Sequence, residues 1–156
     1  MLAFFVSLFT MLVTPTGLAT APAPAPVVAA AASAPATGGR LDWLGGTWKT
    51  DALEMICEQT KLGIACSEEG TSAAMKGAKA ELAFDTAGDK ARLRVALPSI
   101  PPSTFTEVAR EGQSVTFEMP TKMGVARLRF TRTGDALKVE RGNADSWATA
   151  MAYRRG

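Results

Sequence analysis

From Thr47 to the end of the chain, apolar and polar residues alternate in short runs, and turn residues interrupt the runs at intervals of about ten positions. Successive side chains of a strand point to opposite faces, so each run has one face to bury and one to leave in water. A helix would need apolar residues recurring at three- and four-residue spacing, and no stretch sustains that. The pattern predicts strands at residues 47–50, 53–59, 64–69, 79–86, 90–97, 104–110, 114–119, 125–132, 136–141 and 147–155. Turns fall at Thr60-Lys61-Leu62-Gly63, Ala87-Gly88-Asp89, Glu111-Gly112-Gln113, Thr133-Gly134-Asp135 and Gly142-Asn143, and Pro98, Pro101 and Pro102 end the fifth run.

Connections this short suit sequential antiparallel neighbours. A meander of about ten short strands leaves two open edges unless it closes on itself. The expected fold is therefore all-β: an up-and-down antiparallel β-barrel over residues 40–156. The inward residues Leu82, Phe84, Leu93, Val95, Phe117, Leu128 and Phe130, with Leu97 and Val115, form its core, and the first seven also serve as the wall of a candidate ligand cavity.

Residues 1–39 read differently, because they contain no Asp, Glu, Lys or Arg. The run LAFFVSLFTMLV at positions 2–13 has the length of a signal-peptide apolar region, and small residues follow it at Gly17, Ala19 and Ala21. A signal peptide over residues 1–19 is expected, although no basic residue precedes the apolar run. An uncleaved anchor is the rival, but the run is short for a spanning helix and Pro15 interrupts it. Residues 20–39 (TAPAPAPVVAAAASAPATGG) are low-complexity and read as a disordered Ala/Pro linker. The mature protein is thus expected in the periplasm or outside the cell, without a membrane span.

At the head of the domain stands LDWLGGTWK, residues 41–49. Its Gly46-Thr47-Trp48 matches the Gly-x-Trp signature that opens the first strand of lipocalin-like barrels. The segment resembles the start of a bacterial lipocalin-like, calycin-type family of unknown function, distantly similar to nitrobindin-type barrels. The resemblance implies that Gly46 and Trp48 form a structural plug across one end. An Arg from the last strand, Arg154 or Arg155, would pack over the indole. Nitrobindin-type barrels hold haem through a His; this chain has no His, so haem is not carried over and no cofactor is expected. The His-Asp-Phe-Pro-like loop of related members is also missing, since Glu118-Met119-Pro120 runs into Thr121-Lys122-Met123-Gly124.

Cys57 and Cys66 flank the predicted hairpin at Thr60–Gly63 and fall opposite each other, which suits a disulfide in an oxidising compartment. Two buried thiols are the alternative, and the spacing fits no metal motif. Trp43 and Trp48 read as plug or as ligand wall, and Trp147 as core or rim. Ala148, Ala150 and Ala152 share one face of the last strand. Either they face inward and leave room, or Trp147, Thr149, Met151 and Tyr153 do. Glu68 and Glu69 point to opposite faces and read as solvated. Arg92, Arg94, Arg127 and Arg129 read as a surface face or an anion site.

A net charge of +2 without a basic run gives no argument for nucleic acid. Without His, no Ser-His-Asp or Cys-His set can be assembled, so catalysis is not expected. The expected function is binding of a small apolar or amphipathic ligand by a monomeric barrel. The alternative is a structural or inhibitory envelope protein with a solid interior, acting through exposed loops at 98–103 or 120–124.

Overall fold

A computed structural model describes residues 40–156. The expected signal peptide at 1–19 and linker at 20–39 lie outside the described residues. The described chain forms a closed barrel of antiparallel strands in which each pairs with its sequence neighbours and the last returns to the first. The strands are β1 Gly46–Lys49, β2 Leu53–Gln59, β3 Gly63–Gly70, β4 Lys79–Asp85, β5 Arg92–Leu97, β6 Ile100–Glu111, β7 Ser114–Thr121, β8 Gly124–Thr133, β9 Ala136–Gly142 and β10 Trp147–Arg155. Single 3-10 turns stand at Asp42–Leu44 and Ala73–Met75. Hairpins after odd-numbered strands gather at one end, the mouth. Hairpins after even-numbered strands, the Asp42–Leu44 turn and the C-terminus gather at the other, plugged end.

Closure depends on β1, the shortest strand. Trp48 pairs with Arg155 and Lys49 with Arg154, which joins β1 to β10. Residues directly opposite on paired strands share a face, so Arg155 lies inside with Trp48 and Arg154 lies outside with Lys49. The Arg155 guanidinium carbon sits 4.9 Å from the centre of the Trp48 ring. The sequence allows either terminal Arg over the indole; alternation along β10 selects Arg155 and excludes Arg154. A second cation, Arg132 of β8, stands 5.6 Å from the same ring.

The plug is completed by hydrogen bonds to carbonyls that the short turn leaves open. Trp48 Nε1 donates to Leu44 O at 2.7 Å, Arg155 Nη1 to Gly45 O at 2.8 Å and Arg132 Nη1 to Trp43 O at 3.1 Å. Gly46 has φ +112°, and a Cβ built on it would stand 2.6 Å from Arg155 Nη2. Glycine is needed there for its backbone and for the space the guanidinium occupies.

Leu41, Leu44 and Trp48 bury against the lower interior. Above them Phe84, Phe117 and Phe130 from β4, β7 and β8 form a three-ring cluster with centroids 5.3–6.2 Å apart in tilted and edge-on contacts. Cys57 and Cys66 are directly opposed and disulfide-bonded inside the barrel, where they fix the β2–β3 register.

Two strand features depart from the sequence reading. Pro98 follows β5, but β6 begins at Ile100 and runs through Pro101 and Pro102. Those prolines are tolerated because this part of β6 has no partner on its β7 side (β6 and β7 pair only from Thr106↔Glu118 toward the plugged end). In β10, a bulge between Thr149 and Met151 switches faces part-way along. Met151 and Tyr153 pair with inward Val139 and Leu137, Ala148 pairs with inward Arg141, and Trp147 pairs with outward Gly142. Neither all the alanines nor all the larger residues face the interior.

The plug predicts unequal effects for adjacent arginines. Arg155→Ala removes the cation over Trp48 and the donor to Gly45 O, and is expected to lower unfolding free energy by about 1–3 kcal/mol. Arg154→Ala is expected to change it by less than about 0.5 kcal/mol. Urea unfolding followed by tryptophan fluorescence measures both, and equal losses would contradict the assignment.

Candidate functional site

The interior changes character along its axis. At the plugged end and middle, Phe84, Leu93, Phe117 and Phe130 are at most 2% exposed and pack on one another. Toward the mouth, the inward residues Leu82, Val95, Met119, Leu128, Val139 and Met151 are half-buried, although they continue the same faces. Of the seven residues read as a cavity wall, Phe84, Leu93, Phe117 and Phe130 instead fill the interior. Leu82, Val95 and Leu128 are half-buried toward the mouth and pack against that core. Large aromatic rings at one level of three strands pack on one another there, whereas the shorter side chains above are less completely covered.

The mouth is also open at its sides. Because β1 has only four residues, its pairing with β10 stops at Lys49↔Arg154, and β10 from Trp147 to Ala152 pairs only with β9. The second seam lies between β6 and β7 beyond Thr106↔Glu118. Consecutive strand amides point to opposite edges, so one of Pro101 and Pro102 withholds a donor from the β7 side whichever way each is turned. The two seams divide the upper barrel into a β2–β6 half and a β7–β10 half.

Polar groups face this space at two places. Register puts Glu68 of β3 opposite the buried Met55 and Ala80, so its side chain is inward and Glu69 outward. The Tyr153 hydroxyl donates to the Glu68 carboxylate, linking β10 to β3 over the inner faces of β1 and β2. Burial holds the Glu68 carboxyl above the usual carboxylate range, and the tyrosine hydrogen bond opposes that only in part. Burial and the nearby Glu68 charge push the Tyr153 hydroxyl upward as well. The solvated role expected for Glu68 does not hold, because alternation from Ile64 and Cys66 puts it inside.

The second group is Arg141. It pairs with inward Leu128 on one side and Ala148 on the other, so register places it on the inner face of β9 at the mouth. It is half-buried and has no ion-pair partner among the described residues. The alternation Leu137, Val139, Arg141 carries this placement in the sequence.

The arginines singled out from the sequence lie on the outer wall and do not form one site. Arg127 Nε pairs with Glu118 at 2.6 Å and Arg129 Nε with Glu140 at 2.7 Å. Arg129 also lies 4.2 Å from the Trp147 ring centre, and that ring covers Gly142, where a Cβ would stand 2.8 Å from it. Arg129 and Lys138 hold the Glu140 carboxyl below the usual range. Arg92 and Arg94 are exposed on β5. Arg94 borders an open depression of about 430 Å³ on the outside of β2–β5, with Ile56, Ala65, Glu81 and Ala83. At the plugged end Glu107 of β6 is buried and accepts from Ala91 N at 2.7 Å.

Among the described residues, no three His, Cys, Asp or Glu side chains stand together as a metal site. No helix there is long and apolar enough to cross a membrane.

No known family model, curated protein or solved structure matches this chain. The fold and the mouth therefore stand on the chain's own geometry.

The buried Glu68 gives a pH signature. Its folded state holds a proton more tightly than the unfolded chain does, so its contribution to stability declines as pH rises above the ordinary value of 4.5. Glu140 acts in the opposite direction and is unchanged in a Glu68 variant. Glu68→Gln keeps an acceptor for Tyr153 but cannot ionise. Its stability relative to the parent is expected to improve steadily from about pH 4.5 toward neutrality. Urea midpoints measured across that range test this, and a pH-independent difference would show that Glu68 is not a buried titrating group.

Proposed function

We propose that this protein is an exported, monomeric, non-catalytic barrel of lipocalin-like type that holds a small apolar or amphipathic molecule in its mouth. The observation that carries the reading is the change from a fully buried floor to a half-buried apolar wall on the same inward faces. Six aliphatic and thioether side chains from both halves of the upper barrel face one space, and water is a poor neighbour for all of them. Arg141 stands beside them and can orient a polar end. The Gly46-Thr47-Trp48 start of β1 and the Arg155 cover on Trp48 support kinship with bacterial lipocalin-like barrels of unknown function. The internal disulfide supports export.

The depth of the site sets its strength. With the floor filled, a ligand can cover on the order of 200–300 Å² of combined apolar surface, a gross gain of about 5–8 kcal/mol at 25 cal/mol per Å². Binding costs reduce that, so affinities of micromolar or weaker are expected, not nanomolar.

Titration with the neutral apolar fluorophore N-phenyl-1-naphthylamine tests the reading. Saturable one-to-one enhancement is expected, weakened about tenfold by Leu128→Asn with Val139→Asn. Absence of saturable binding by the folded parent would overturn it. The packed phenylalanine floor favours a second reading, a structural or inhibitory envelope protein working through its loops. A stoichiometric protein partner, together with no probe binding, would select that one.

A further inference from the structure

The mouth is not uniform around its rim. The β5–β6 and β7–β8 hairpins stand side by side there, because β6 and β7 are neighbours in the barrel. Their tips carry two of the most exposed large apolar residues, Ile100 at 51% and Met123 at 74%. Pro98, Pro101 and Pro102 are exposed beside them. From Leu97 to Thr106 and from Met119 to Ala126 the sole charged residue is Lys122. The neighbouring β3–β4 loop adds exposed Ala73, Ala74 and Lys76. Of the acidic loop residues of the mouth, Asp51 lies across the rim, after β1, and Asp145 lies on the β9–β10 hairpin that flanks β7–β8 on its other side.

We propose that the rim formed by Ile100, Lys122 and Met123 docks on an anionic lipid surface. Apolar tips flanked by lysine and free of carboxylates match the boundary between anionic headgroups and acyl chains. The seam between β6 and β7 opens between these same two hairpins, so it would present the half-buried inner wall of the mouth toward the membrane. The inference deepens the ligand-binding reading and rests on it for its purpose: an amphiphile would pass sideways from bilayer to mouth. Docking itself is measured separately.

The full mature chain is floated with phosphatidylcholine vesicles with and without phosphatidylglycerol. Binding is expected to the phosphatidylglycerol vesicles and to fall as salt rises. Ile100→Ser with Met123→Ser is expected to weaken it at least about tenfold. Lys122→Ala is expected to cost about fivefold, on anionic vesicles only. Leu62→Ser removes an apolar side chain that is 62% exposed at the plugged end, and is expected to change nothing. All four positions are exposed, so unchanged thermal unfolding is the control for folding. No flotation of the parent, or an equal loss in Leu62→Ser, would overturn the proposal. So would self-association by sedimentation, abolished by the tip variants, without vesicle binding; that result would assign the tips to a second copy of the chain. Naphthylamine binding without flotation would reject only the docking surface, whereas flotation without naphthylamine binding would reject only the ligand reading.

Discussion

The barrel depends on one closing contact, the pairing of Trp48 with Arg155. Nine of the ten neighbour relations join strands linked by a short hairpin, and each forms at small cost in chain entropy. The tenth brings together strands from the two ends of the domain. It has only two register pairs, so backbone bonding alone is a small part of what holds it. The indole supplies the rest: it buries completely, donates to Leu44 O and receives two guanidinium groups over its ring. Those cations also tie down the carbonyls of Trp43 and Gly45, so side-chain chemistry closes both the lid and the last gap in the sheet.

A strong closure at one end and a weak one at the other divide the interior. Where β1 is present, ten strands confine a space that three phenylalanines fill. Beyond Lys49 the barrel is one strand short on the β10 side, and beyond Thr106 the β6–β7 ladder is interrupted as well. Side chains there keep their inward direction but lose neighbours. The half-buried wall of the mouth thus follows from strand length and proline placement together with the change from phenylalanine to shorter side chains.

Strand order and the facing of most strands are legible in the sequence, because period-two alternation and short hairpins are local signals. The opposition of Cys57 and Cys66 follows from the same hairpin register. Arg155 is distinguishable from Arg154 only once Trp48 is given a partner in β10, a relation between the two ends of the domain. The seams were not legible: they reflect which ladders stop early, and Pro101 and Pro102 read as a loop until β6 is seen to lack a partner there. Glu68 was obscured by Glu69, since two adjacent acids suggest a wet surface even when alternation turns one of them inward. The filled floor was missed because an inward phenylalanine reads alike whether it lines a cavity or occupies it.

The bulge between Thr149 and Met151 has a bearing on how this barrel survives at high concentration. From Trp147 to Ala152 the last strand offers bare amides and carbonyls along one side, with small uncharged side chains that would let a foreign strand approach. A straight edge of that kind recruits neighbours and seeds cross-molecule sheets. The extra residue adds twist and breaks the spacing of the free groups, so an incoming ribbon cannot pair with them in one unbroken ladder. The irregularity that turns Met151 inward also keeps the molecule's unfinished edge from becoming a template.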